Sequence, residues 1–249
     1  MLKINKRYKD IFEAYIHKDE PTPFTIGTFV VCILCFILLI IATFTQITFS
    51  HPWLEYVENV GFTYTTKVIT YSPQFPVIIF ITYILYKGYS IFVYLLYLLT
   101  GFFLYPVFAF GGGFEYVQNY FFGYLVGFIF AIFITSKIFE KSTTIKSRLL
   151  ASVYGILSIH IVGFIYCVFL ALFGAIDFNL LGPIFYVVTV TKIIYDILFT
   201  ILILLIVPYI KNIFWVFMRP LSSGKKLENS NKRNKIVRNK FYQHGQDND

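Results

Sequence analysis

The sequence predicts an all-α integral membrane protein, a bundle of six transmembrane helices with both termini in the cytoplasm. Three observations carry that reading. The chain of 249 residues is 57% hydrophobic and only 14% charged, whereas soluble domains are about 25% charged. Its apolar runs occupy most of its length, and a helix needs roughly 20 apolar residues to cross an acyl core of about 30 Å. The lysines and arginines, finally, fall almost entirely on one side once six helices are drawn.

The elements follow in order. Met1 to Pro23 is polar and mixed in charge, with a short amphipathic helix expected around Ile11, Ala14 and Tyr15. Pro21 and Pro23 mark entry into the membrane. Helix one is expected over Phe24 to Thr45. Lys3, Lys6, Arg7 and Lys9 precede it as in a signal sequence, but a run of about 25 residues is too long for a signal's apolar core. It reads as an uncleaved helix. Ser50 to Gln74 reads as a long polar connection. Helix two, Pro76 to Tyr86, is short and turns around at Lys87-Gly88 into helix three, Tyr89 to Leu104. A glycine-containing loop from Pro106 to Asn119 leads to helix four, Tyr120 to Ile138. Helix five is Leu149 to Phe173. Helix six runs from Pro183 to Trp215, with a kink expected at Pro208. Three segments result: 1–23 cytoplasmic, 24–218 in the membrane, and 219–249 a basic, disordered cytoplasmic tail.

The net charge of +8 is concentrated at the two ends and in one internal loop. Lys3, Lys6, Arg7, Lys9 and Lys18, then Lys87, then Lys137, Lys141, Lys146 and Arg148, then Lys211, Arg219, Lys225 and Lys226 share one side of a six-helix arrangement. The other side holds His51, Glu55, Glu58, Lys67, Glu115 and Asp177. This is the segregation expected of a plasma-membrane protein with its basic side inside. It accounts for the charge without nucleic acid, and the basic tail is expected to meet anionic lipid or water. Cys32, Cys35 and Cys167 lie in apolar runs. A lone Cys-x-x-Cys at lipid depth lacks the further ligands zinc needs, so all three read as small buried side chains and no cofactor is expected.

Lys192 is the anomaly. It lies deep in the last apolar run, and an ionisable group there costs roughly 2.5–3.5 kcal/mol on insertion scales, which marks a functional site by default. Entering from the outside at Pro183, the helix places Lys192 about 13 Å in at 1.5 Å per residue. Phe185, Thr189, Lys192 and Asp196 share a face by spacing, and that face must point inward. The geometry suggests a cavity open to the outside and floored by Lys192. A plain ion pair between Lys192 and Asp196, four residues apart, is the competing account. His160, also at depth, reads as a hydrogen bond between helices.

A glycine run lies opposite. Tyr105-Pro106-Val107-Phe108-Ala109-Phe110-Gly111-Gly112-Gly113-Phe114-Glu115-Tyr116 contains three residues that permit close backbone approach to a ligand. Exposed N–H groups of Gly111, Gly112 and Gly113 would suit a carboxylate. Tyr116 and Tyr124 are the aromatics expected at the rim, membrane-interface placement being the plainer alternative.

Tyr97 to Gly101 (Tyr-Leu-Leu-Thr-Gly), Pro106 to Ala109 (Pro-Val-Phe-Ala), Gly111 to Gly113 and Gly123 to Phe128 (Gly-Tyr-Leu-Val-Gly-Phe) occur in this order. Ser72-Pro73-Gln74-Phe75-Pro76 lies upstream. This arrangement resembles the BioY family, the biotin-binding S components of energy-coupling-factor (ECF) transporters. The resemblance covers about Ser72 to Lys192. It implies a six-helix bundle, and an Asp-x-x-Lys pair in helix six that holds the ureido ring of biotin. Lys192 matches the lysine. Thr189 stands at the aspartate position, so either Thr189 acts as a neutral partner or Asp196 supplies the carboxylate from one turn deeper. The resemblance also implies partners: a transmembrane coupling subunit and ATPases, since this chain has no Gly-x-x-x-x-Gly-Lys-Ser/Thr loop of its own. Gly27, Thr28 and Cys32 are candidates for a docking face, with internal packing as the alternative. An enzyme is not expected, as neither Gly-x-Ser-x-Gly nor His-Glu-x-x-His occurs. A receptor for another small vitamin and a structural or assembly membrane protein are the remaining alternatives.

Overall fold

The structure is a computed structural model and describes residues 24–57 and 61–218. The amino-terminal amphipathic helix and the basic tail expected from the sequence lie outside the described residues. Among the described residues, five helices are long and apolar enough to cross a membrane, and the chain is a multi-pass membrane protein. Helix α1 spans Ile26–Phe44, α2 Gln74–Leu99, α3 Phe121–Lys141, α4 Ile145–Leu172, a short α5 Leu181–Phe185, and α6 Ile193–Met218.

α1 shows how the sequence sorts residues between protein and lipid. Thr28, Val31, Cys32, Cys35, Leu39, Ala42 and Thr43 are buried at helical spacing, while Phe29, Val30, Leu34, Ile37, Ile41 and Phe44 are exposed. The small and weakly polar residues therefore face the bundle and the bulky apolar ones face outward, the pattern expected where lipid removes any drive to bury apolar bulk. Thr28 and Cys32, candidates for a docking face, pack inward instead.

α2 is one run of helix broken at Tyr86, whose φ of 61° and ψ of 171° are non-helical. The break reverses the chain. Gln74 Nε2 donates to Tyr97 Oη at 3.0 Å, although a straight helix would separate those residues by roughly 34 Å. The limbs 74–85 and 87–99 are thus antiparallel. Every residue from Pro76 to Leu85 is buried, which explains an apolar stretch with no polar face: this limb runs through the interior and meets protein on all sides. It needs no lipid-matching length, hence its shortness.

The all-α expectation fails between α1 and α2. The segment read as a polar connection forms an antiparallel hairpin of β1, Ile47–Val57, and β2, Gly61–Tyr71, in register from Ile47 opposite Tyr71 to Val57 opposite Gly61. β2 is Gly-Phe-Thr-Tyr-Thr-Thr-Lys-Val-Ile-Thr-Tyr, dense in the β-branched and aromatic residues that favour strands. At its base the hairpin is tied to the bundle. Ser72 Oγ donates to Ala42 O at 2.6 Å, and the Phe49 ring stacks on Tyr195 with centroids 5.4 Å apart.

The opposite end of the bundle holds the basic residues. Lys211 Nζ lies 4.2 Å from the centroid of the Tyr86 ring, and Lys87 Nζ lies 4.2 Å from that of Phe133. α4 starts earlier than expected because Thr144 caps it, accepting from Ser147 N. α6 continues as helix through Pro208. Proline has no N–H, so the Leu204 carbonyl four residues back loses its usual donor. Arg148 Nη1 from α4 fills that role at 2.8 Å. Arg148→Leu is expected to lower stability by about 1–3 kcal/mol, read as a reduced melting temperature in detergent. Adding Pro208→Ala, which restores an N–H to Leu204 O, is expected to recover part of that loss.

Candidate functional site

At the hairpin end of the bundle lies a cavity of about 200 Å³. Its wall is built from several elements: Thr43 and Phe44 from α1, Thr70 and Ser72 from the hairpin base, Gln74 and Phe75 from α2. Ala109, Phe110 and Tyr116 come from the glycine loop, Tyr124 from α3, and Val188, Lys192 and Asp196 from the last span. Aromatic and aliphatic side chains form the larger part of the wall, with polar groups set among them, the composition of a small-ligand site.

The last span does not enter as one regular helix. After α5, residues Tyr186–Val190 form a π-helical turn, Thr191 N donating to Tyr186 O at 3.1 Å. Lys192 N then donates to Thr189 O at 3.1 Å before α6 begins. Such bulges cluster at functional sites, and non-helical backbone at membrane depth is tolerated where it lines a cavity. The bulge lets Lys192 and Asp196 both face the cavity while Thr189 turns toward α3 and α4.

Asp196 is 2% exposed and held on both oxygens. Tyr71 Oη donates to Oδ1 at 2.9 Å, and His160 Nε2 lies 3.1 Å from Oδ2. Burial first, then the Asp196 charge and this hydrogen bond, push the Tyr71 phenol well above its ordinary value, so it keeps its proton and donates. With Asp196 a carboxylate, His160 donates to it through Nε2. Thr189 Oγ1 lies 3.2 Å from His160 Nδ1 and 3.0 Å from Tyr124 Oη. The chain Tyr124, Thr189, His160, Asp196 links α3, α4 and the last span and ends on the carboxylate. His160 is the interhelical hydrogen bond expected of it.

Lys192 behaves otherwise. Among the described residues it makes no ion pair and no side-chain hydrogen bond. The pair read as a possible ion pair is split: ammonium and carboxylate line the same cavity without touching. An arrangement of that kind accepts a ligand that offers an acceptor to one and a donor to the other.

The glycine triplet builds the loop and does not line the cavity. Phe108 and Gly111 exchange backbone hydrogen bonds at 3.1 and 3.2 Å, and Gly113 N donates to Gly101 O at 2.8 Å, so the N–H groups of Gly111 and Gly113 are used within the protein. Gly113 needs its freedom, with φ of 77°. A Cβ on Gly112 would lie 2.6 Å from Pro106 Cα, and one on Gly101 would lie 2.2 Å from the Phe108 ring. The loop thereby folds over Phe108, which is fully buried, and projects Phe110 and Ala109 into the cavity. Tyr116 is secured by donating to Ala109 O at 2.7 Å.

Of the residues singled out from the sequence, Lys192, Asp196, Tyr116 and Tyr124 line the cavity. Thr189 sits directly behind it, and Gly111, Gly112 and Gly113 shape its rim from outside. Tyr71, Gln74, Phe75 and Phe110 escaped sequence reasoning. The proline-flanked Gln74 was the one visible signal among them.

Fold and site together define a multi-pass membrane protein with a small-molecule cavity at one end of its bundle. The chain belongs to the BioY family, whose model matches residues 20–215. No curated protein matches the sequence. Among solved structures it is similar to an S-component for biotin from an ECF-type ABC transporter, solved at 2.1 Å. The TM-score is 0.56 at 17% identity, covering 88% of this chain and 100% of that one, a likeness of fold.

Proposed function

We propose that this chain is the biotin-capturing subunit of an ECF transporter, with residues 24–218 as its binding unit. The reading is carried by the split pair: Lys192 and Asp196 face one cavity unpaired with each other. The ureido group of biotin has a carbonyl to accept from the Lys192 ammonium and N–H groups to donate to Asp196. The apolar thiophane ring and valerate arm suit walls made by Phe75, Phe110 and Tyr124. Family membership favours biotin over another vitamin.

Topology completes the reading. The reversal within α2 adds one crossing to the five long apolar helices, giving six, with both termini in the cytoplasm. Lys87, Lys141, Arg148 and Lys211 then lie on the inner side, and the cavity opens outward beneath the hairpin and the glycine loop. Uptake would draw on a coupling subunit and ATPases supplied as separate proteins, with the basic tail at the inner lipid surface.

The test is calorimetric titration of the detergent-purified protein with biotin, thiamine and riboflavin. Saturable binding of one biotin per chain well below micromolar dissociation constants, with neither of the others competing, is expected. Preferential binding of another vitamin would transfer the site to that ligand. Absence of binding to all three would favour a structural role.

A further inference from the structure

Gln74 is 6% exposed, lines the cavity, and has an orientation that can be deduced. Its Nε2 lies 3.0 Å from Tyr97 Oη. The phenol has one proton, and its other neighbours are both acceptors for it: Val107 O at 3.0 Å, and Thr43 Oγ1 at 3.1 Å, which itself donates to Leu39 O. Tyr97 Oη must therefore accept from Gln74, which fixes the amide nitrogen on the Tyr97 side. The amide oxygen is left on the cavity side, with no hydrogen-bond partner among the described residues. Tyr97 itself is fully buried and packs against Phe108, ring centroids 5.4 Å apart. The orientation of Gln74 is thus anchored to the base of the glycine loop.

Resting on the biotin reading above, we propose that Gln74 is a specificity-determining residue whose amide oxygen accepts from one ureido N–H of the ligand, with Tyr97 as the positioning residue that holds it. Among the polar groups of the cavity, Gln74 Oε1 and the Asp196 carboxylate then supply two acceptors and Lys192 the cationic donor. Two N–H groups and one carbonyl are what a cyclic urea presents. A site that hydrogen-bonds a ligand N–H rejects an analogue lacking it, because its own buried acceptor is left unpaired.

The probes are biotin and the two biotins carrying a single methyl on one or the other ureido nitrogen, titrated into full-length protein in detergent. Wild type is expected to bind both methylated forms at least about tenfold more weakly than biotin. Gln74→Met is expected to weaken biotin about tenfold and to lose discrimination against one of the methylated forms while keeping it against the other. Tyr97→Phe leaves the amide in place but removes its anchor, and is expected to erode that same discrimination and spare the other. If Gln74→Met does not fold, Tyr97→Phe carries the test alone. Unchanged biotin affinity and unchanged discrimination in both variants overturn the role of Gln74 while leaving the biotin reading intact. Failure of wild type to bind biotin overturns both.

Discussion

Lys192→Ala is expected to weaken biotin binding by about 2–3 kcal/mol, roughly 30- to 150-fold, without lowering the melting temperature of the empty protein. The size follows from what the ammonium lacks. Lys192 has no ion pair or side-chain hydrogen bond among the described residues, so its removal breaks no direct polar contact in the empty protein. In the complex it is the one cation on the cavity wall, and hydrogen bonds to charged groups are the strong ones. Lys192→Arg is expected to recover little, since the planar guanidinium needs more room than an ammonium on a flexible stem. Parallel calorimetry and thermal melting separate binding from folding. A Lys192→Ala variant that binds biotin within twofold of wild type would leave the split pair without a role.

What the sequence made legible was what carries a high cost when misplaced. A lysine at membrane depth, glycines in a loop and basic residues on one side each violate a default, and each lies near something structural. Lys192 and Asp196 do reach one cavity. The glycine-rich block does form one compact unit, although its purpose differs from the one anticipated: Gly101 admits Phe108, and Gly163 admits Tyr124, whose ring would lie 2.5 Å from an added Cβ. Close packing explains those positions without any glycine N–H touching a ligand.

The illegible parts depend on distant partners. Tyr71 meets Asp196 across 125 residues of sequence, and no local pattern announces such a contact. Gln74 acquires its meaning only when the reversal at Tyr86 brings Tyr97 beside it. The hairpin is a different omission. His51, Glu55, Glu58 and Lys67 made the segment read as a polar connection, while β2 carries Thr63, Thr65, Thr66 and Thr70, and threonine is also a strand former. The π turn at Tyr186–Val190 likewise breaks the simple 3.6-residue spacing that had put Thr189 on the same face as Lys192.

On the proposed function, that break assigns the carboxylate beside Lys192 to Asp196. Thr189 Oγ1 is hydrogen-bonded to both His160 and Tyr124, so it is engaged inside the protein. Asp196 retains lone pairs toward the cavity after accepting from Tyr71 and His160, since a carboxylate has about four acceptor sites. Asp196→Asn is therefore expected to weaken biotin at least about tenfold and to lower the melting temperature as well, since the charge that accepts from both Tyr71 and His160 is replaced by an amide with one accepting oxygen, costing about 1–3 kcal/mol. Combining it with Thr189→Asp tests the relocation directly. The new carboxylate would again lie within reach of His160, through Nδ1 instead of Nε2, and one turn nearer the hairpin. If biotin needs a carboxylate beside Lys192 and either position serves, the double variant regains affinity over Asp196→Asn while Thr189→Asp alone gains none. If Asp196→Asn instead binds biotin as wild type does and merely melts earlier, the carboxylate is structural, and the donor-accepting work in the cavity falls to uncharged groups.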